Sequence, residues 1–263
     1  MSQRSRAFLG IMNLACFIAV VVVNALATTI PLGGYTTGEL SDMYPNLFVP
    51  AGLTFSIWGV IYLLLGIYSV YGLVRSMRAP SGNGDFVERI GPLFIVSCAG
   101  NAGWILSWHY RILPLSMVCM LTILASLLAV YLRLSIGRSQ AAGAEKFMAH
   151  LPMSVYLGWI TVATIANATA LLVHYRWNGF GITDQAWTIA MIAIAVALGL
   201  IVAFLRGDIF FTLVVAWAVL GILIKRSATD SADTRGIIVA SIVGLSLLSL
   251  GILTQIARRK VYR

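Results

Sequence analysis

The sequence predicts an all-α integral membrane protein, a bundle of about eight transmembrane helices. Three observations carry that expectation. Hydrophobic residues make up 60% of the chain and charged residues 10%, whereas a soluble domain carries about 25% charged residues. The apolar residues fall into runs near the ~20 residues that a bilayer crossing needs. Basic residues sit between those runs, and far more of them fall on one side of the bundle than on the other.

The apolar runs are approximately 7–30, 50–73, 90–108, 114–132, 147–172, 187–205, 209–224 and 236–256. The first follows Arg4 and Arg6 and contains Ala25-Leu26-Ala27, which resembles a signal-peptidase site. It is long for a signal-peptide core and long enough to span, so it reads as the first membrane helix. Between the sixth and seventh runs stands Arg206-Gly207-Asp208, where Gly207 suits a tight turn. One tilted or broken helix across both is the alternative there, because the seventh run is short.

Charge decides between these two. With both termini cytoplasmic, only Arg111, Arg176, Lys225, Arg226 and Arg235 of the 18 Lys and Arg residues lie outside. Merging the sixth and seventh runs would send the basic C-terminal tail outside, against that bias. Eight spans with both ends inside are expected, in a bacterial or archaeal cytoplasmic membrane. The net charge of +9 is then a topology signal, not a nucleic-acid footprint.

Most connections are short. The 31–48 segment contains Gly33-Gly34-Tyr35-Thr36-Thr37-Gly38-Glu39 and Tyr44-Pro45, and an ordered lid or a flap over the outer mouth is expected there. On the inner side, Ala79-Pro80-Ser81-Gly82-Asn83-Gly84 is turn chemistry. Cys16, Cys98 and Cys119 lie inside apolar runs without paired spacing, and read as small core residues, neither disulfides nor metal ligands.

Three helix faces stand out from a lipid-facing pattern. Trp159, Ala163 and Asn167 fall at i, i+4 and i+8; Asn101, Trp104 and Trp108 at i, i+3 and i+7; Trp58 and Tyr62 at i and i+4. An Asn without a partner in hydrocarbon is costly, and three helices present aromatic rings to something other than lipid. The combination predicts a buried pocket for a flat apolar ligand. A plainer reading stands beside it: Asn13, Asn24, Asn101 and Asn167 as interhelical hydrogen bonds worth about 0.6–2 kcal/mol each, with the Trp rings as core. Trp108-His109-Tyr110-Arg111 and His174-Tyr175-Arg176-Trp177 read as interfacial aromatic belts, and His150 as an inner-interface residue.

Absences narrow the function classes. No Asp, Glu, Lys or Arg lies near the centre of a predicted span, which weighs against an ion-driven pump. No nucleophile with a nearby base, metal-ligand cluster or phosphate loop is evident, so no catalytic residue, metal or covalent cofactor is assigned.

On these residues the chain resembles the TspO/MBR family of translocator and tryptophan-rich sensory proteins. Tyr156-Leu157-Gly158-Trp159, Ala163-Thr164 and Asn167 are similar to its fifth-helix pattern. Asn101-x-x-Trp104 is similar to its third helix, and Pro50, Ile57-Trp58 and Tyr62 to its second. Where the family has Pro-Pro-x-Trp this chain has Val49-Pro50-Ala51-Gly52, so Gly52 replaces a Trp. The resemblance covers about residues 7–175, the extent of a five-helix fold, and leaves 176–263 as three additional helices of an extended, divergent relative. It implies a ligand class of porphyrins, sterol-like molecules and isoquinoline or benzodiazepine drugs.

The function expected is a membrane receptor or carrier for a flat hydrophobic ligand, a tetrapyrrole or a sterol-like molecule. Trp58, Tyr62, Trp104, Trp108 and Trp159 would meet its faces, Asn101 and Asn167 its polar edge, and Ala163 would leave it room. The alternative is a small-solute permease or exporter without an intramembrane coupling residue. Porphyrin breakdown has little in the sequence to support it. The partners expected are the bilayer and the ligand, with no nucleic acid and with a homodimer left open.

Overall fold

The computed structural model describes residues 2–30, 32–78, 85–141, 143–229 and 232–261. Ala79–Gly84, expected as an inner turn, lie outside the described residues. Among the described residues regular structure is helical throughout. Eight long helices are α1 (Gln3–Thr29), α2 (Ile57–Arg78), α3 (Leu93–His109), α4 (Leu113–Arg133), α5 (Leu151–His174), α6 (Asp184–Arg206), α7 (Ile209–Ser227) and α8 (Ala232–Val261).

Seven of them are long and apolar enough to cross a membrane, and α3 is the exception. Its 17 residues reach about 26 Å at ~1.5 Å per residue, just short of a ~30 Å hydrocarbon core. The apolar run expected from residue 90 loses its first turn because Gly91 takes a positive φ of 58° and closes the short helix Phe86–Ile90 before α3 begins. The fifth helix also starts differently from the apolar run. A wider turn over Lys146–His150 precedes it, and Pro152 in its first turn has no N–H to give to the preceding turn.

The division of residues 187–224 into two helices is made by local chemistry. Gly207 adopts the left-handed conformation at φ 66° and caps α6. The Asp208 side chain then accepts from the amides of Phe210 and Phe211 and starts α7. Thr212 Oγ1 donates to the carbonyl of Gly199 at 3.1 Å, which zips the two helices as an antiparallel hairpin. With Ser227 as its end, α7 has 19 residues and is longer than its apolar run suggests.

The first five helices close a ring: α1 packs on α2 and α3, α3 on α4, α4 on α5, and α5 on α2. The last three pack on one another, and α7 rests on α5. Small residues permit the closest approaches, as is usual where lipid gives helices no hydrophobic reason to associate. Gly100 on α3 faces the Cys119 carbonyl of α4, Gly158 on α5 faces the Phe211 carbonyl of α7, and Gly221 on α7 faces Pro50 and Thr54. Two further bonds fasten α7 to the segment before α2: Ala51 N–H to the Gly221 carbonyl at 3.0 Å, and Trp217 Nε1–H to the Thr54 carbonyl at 3.0 Å.

Charges collect at the two ends of the bundle. At one end Arg6 pairs with Glu88 and Arg75 with Asp85. Arg89 donates to the Arg133 carbonyl and Arg138 to the Leu205 carbonyl, and Arg258 lies over the Phe204 ring. The start of α1 and the end of α8 therefore lie at the same end. At the opposite end Lys225 pairs with Asp42.

Candidate functional site

The face registers of α2, α3 and α5 bring most of the expected side chains to one place inside the ring. Tyr62, Trp58, Trp104 and Trp108 form a ladder of nearly parallel rings. Successive centroids are 5.5 Å, 6.1 Å and 5.9 Å apart at interplanar angles of 23°, 26° and 20°. Those separations suit offset stacking. Trp159 meets the ladder edge-on, 6.2 Å from Trp58 at 82°, and Phe55 meets Trp159 at 6.0 Å and 83°.

Polar groups lock the ladder in place. Trp104 Nε1–H donates to Asn167 Oδ1 at 3.0 Å, and Trp108 Nε1–H to the Thr37 carbonyl at 3.3 Å. Asn101 Oδ1 accepts from Asn24 Nδ2 at 2.9 Å, and its own amide donates to Tyr156 Oη at 2.9 Å. These bonds join α1, α3 and α5. Trp159 Nε1 is different: it is buried and has no hydrogen-bond partner among the described residues.

A small cavity opens under the ladder. Thr37, Ser41, Pro50, Phe55, Trp58, Trp104, Trp108, Trp159, Val162, Ala163, Ala166 and Asn167 line it, and none of them is charged. It holds about 40 Å³, room for a few waters at most. A neighbouring space of about 400 Å³ lies between α1, α2 and the 36–38 segment, and Asn24, Thr28 and Tyr62 line it. Thr37, Phe55, Trp58 and Trp104 line both, so their side chains are the partition.

Of the residues expected from the sequence, Trp58, Trp104, Trp108, Trp159, Ala163 and Asn167 wall the small cavity. Tyr62 faces the neighbouring space. Asn101 is buried and spends its amide on Asn24 and Tyr156. Asn24 and Asn13 make the interhelical bonds that the packing reading expects, Asn24 to Asn101 and Asn13 toward Tyr68 Oη at 3.5 Å. Sequence reasoning missed Thr37 and Phe55, which come from short helical turns before α2 that carry too few residues to show a face, and Pro50 stood in the quoted resemblance without being assigned to the site. Tyr156 stood in the quoted motif, three residues before Trp159, yet was not assigned.

The 31–48 connection is ordered where described. Thr37–Asp42 is a short helix with reciprocal capping between Thr36 and Glu39. Leu40 and Phe48 are buried, and Tyr44 meets His174 edge to face and the Trp108 ring at a tilt of 53°. It covers the mouth of the ring at the end opposite Arg6.

An all-helical membrane protein, closed around an uncharged aromatic cavity, is thus the class that fold and site define. The chain belongs to the TSPO-like family, whose model, described as TSPO-like protein, matches residues 10–254. The match runs through α6, α7 and most of α8 as well as the five-helix ring. No curated protein and no solved structure matches the chain. The family indicates a membrane ligand-binding or transport role.

Proposed function

We propose that the protein is a receptor or carrier for a flat hydrophobic ligand, a tetrapyrrole or sterol-like molecule, held against the aromatic ladder. The observation that carries the reading is Trp159: a buried indole N–H, unpartnered among the described residues, on the wall of an uncharged cavity. An acceptor on the ligand edge would satisfy that donor, while Asn167 and Asn101 position the wall through bonds already made. An uncharged, aromatic lining favours a receptor or carrier of an apolar molecule over a permease for a polar solute.

A flat ligand needs several hundred Å³, far beyond the ~40 Å³ present. Binding therefore requires Trp58 and Phe55 to swing so that the two adjoining spaces merge. The larger space lies against α1 and α2, which gives a lateral route from the lipid under the 36–38 segment.

Titration of the purified protein with protoporphyrin, read by Trp fluorescence, tests the proposal. Trp159→Phe keeps most of the ring volume and removes the N–H, and should bind at least about tenfold more weakly, as loss of one ligand hydrogen bond and part of a stacking contact predicts. Ala163→Phe should block binding with little loss of yield. Unchanged affinity in both variants would sink the reading. Bleaching of the bound porphyrin would instead assign breakdown chemistry to the site.

A further inference from the structure

Two other spaces lie at the end opposite Arg6, one between α5, α6 and the 45–48 segment, the other between the 41–49 segment, the start of α6 and the end of α7. One is apolar, about 330 Å³, with Ile165, Leu172, Trp177, Trp187 and Met191 among its walls. The other is polar, about 380 Å³, and is lined by Asp42, Lys225 and Arg226. Pro45, Asn46, Leu47 and Asp184 line both, so the two adjoin. The apolar space extends from Val173 to Thr164 along α5, about 15 Å of helix, or half the hydrocarbon thickness. That is the depth of one leaflet.

The polar space contains a cation with bonding capacity left over. Lys225 is taken by Asp42 at 2.6 Å. Arg226 is only 8% exposed. Its Nη2 donates to the Val49 carbonyl at 3.4 Å, but its buried Nε has no hydrogen-bond partner among the described residues. A buried guanidinium is costly without an acceptor, and its planar fork matches a carboxylate or a phosphate. Asp184, exposed where the two spaces meet, opposes a second negative charge. The acceptor that fits is a singly charged anion, a carboxylate or a phosphodiester.

We propose that the two spaces bind one amphiphile, its anionic group on Arg226 and its acyl chain between α5 and α6. The site is separate from the aromatic cavity and does not depend on what that cavity holds. A free fatty acid and a phospholipid share this chemistry.

Dibromostearate titrated into the full chain in detergent is a direct probe, because its bromines quench indoles that they touch and Trp177 and Trp187 wall the apolar space. Saturable quenching is expected, and it should disappear in the Trp177→Phe, Trp187→Phe double variant. Arg226→Gln should weaken binding about tenfold or more, as loss of a charge-assisted contact predicts. Ala168→Phe, which fills the apolar space and leaves the Val49 contact alone, should abolish it and serves if Arg226→Gln fails to fold. The brominated methyl ester, which carries no anion, should not saturate. A brominated phosphatidylglycerol compared with the free acid identifies which source the site prefers, and saturable binding of either supports it. Equal saturable quenching by acid and methyl ester, quenching that survives loss of both indoles, or affinity unchanged by Ala168→Phe would overturn the proposal.

Discussion

The indole N–H of Trp104 donates to the side-chain oxygen of Asn167 at 3.0 Å, joining α3 to α5 at residues 63 positions apart. Asn167 also donates to Ser116 on α4 at 3.3 Å. One amide therefore ties three helices at the cavity wall. The polarity that marks Asn167 in the sequence is spent on the protein itself. The unspent donor is on its neighbour Trp159, two turns earlier on the same face. On this one helix face Asn167 serves packing, while Trp159 lines the cavity with a donor that has no partner among the described residues.

That division predicts different behaviour at the two Asn residues. Asn167→Ala would leave the Trp104 N–H buried and unpaired, lowering stability by about 1–2 kcal/mol. Because the freed Trp104 ring belongs to the cavity wall, porphyrin affinity should fall as well. Asn101→Ala breaks the Asn24 and Tyr156 bonds but frees no ring on the wall of the small cavity, so it should lower the melting temperature and change affinity less than Asn167→Ala does. Melting in detergent together with fluorescence titration separates the two. Equal losses of affinity would place Asn101 in the site after all.

The seam between the ring and the last three helices makes a second prediction. A Cβ at Gly158 would stand 3.2 Å from the Phe211 carbonyl, and one at Gly221 would stand 2.9 Å from Pro50 Cβ and closer still to Thr54. Gly158→Leu and Gly221→Leu should each destabilise by about 1–3 kcal/mol, the cost of overpacking. Gly52, which stands where the resembled pattern has Trp, faces open space, with no atom within 4 Å of a Cβ placed there. Gly52→Trp should therefore fold with a melting temperature close to that of the parent. A large loss at Gly52, or none at Gly221, would mean that α7 does not dock where the structure places it.

How far the sequence could be read follows from which interactions are local. The α6–α7 turn was legible because Gly207 and Asp208 cap the two helices from adjacent positions. The aromatic ladder was legible because spacings of three, four and seven residues fix a helix face without knowledge of the partners. Phe55 and Thr37 were not, since a 3₁₀ turn and the first residue of a six-residue helix carry too little periodicity to fix a face. The Lys225–Asp42 pair spans 183 positions, and nothing local announces it. The cavity's small volume was equally hidden, because it depends on how Trp58 and Phe55 settle against Trp159.

Topology can be tested without a ligand. The start of α1 and the end of α8 share one end of the bundle with Arg138 and Arg206, and the excess of basic residues lies there. Reporter fusions at Arg206-Gly207-Asp208 and after the last helix should both report the cytoplasm. An external signal from the C-terminal fusion alone would mean that α7 or α8 does not cross, whereas external signals from both fusions would put the missed crossing before Arg206, with short α3 the first suspect.

The short helix over the mouth supplies a pH dependence. The Thr36 backbone amide and hydroxyl donate to Glu39 Oε2 at 2.7 Å and 2.9 Å, and the Glu39 amide donates back to Thr36 Oγ1. These bonds favour the carboxylate and hold the Glu39 pKa below its ordinary value of 4.5, the backbone bond first and the hydroxyl second. A depressed folded pKa means that the contribution is fully present above 4.5 and is lost as pH falls through the lower folded value. The cap anchors the turn that carries Thr37, whose carbonyl accepts from Trp108. Acid should therefore loosen the cover over the cavity while the apolar bundle beneath it stays folded. Hydrogen exchange over residues 32–48, corrected for intrinsic rates, should quicken from pH 6 to pH 3.5, about one unit below the ordinary carboxylate value. Glu39→Gln removes the titrating group and should exchange at a rate that no longer changes between those two conditions. A pH response that persists in Glu39→Gln would assign the loosening to some other group and leave the cap without a role in closing the site.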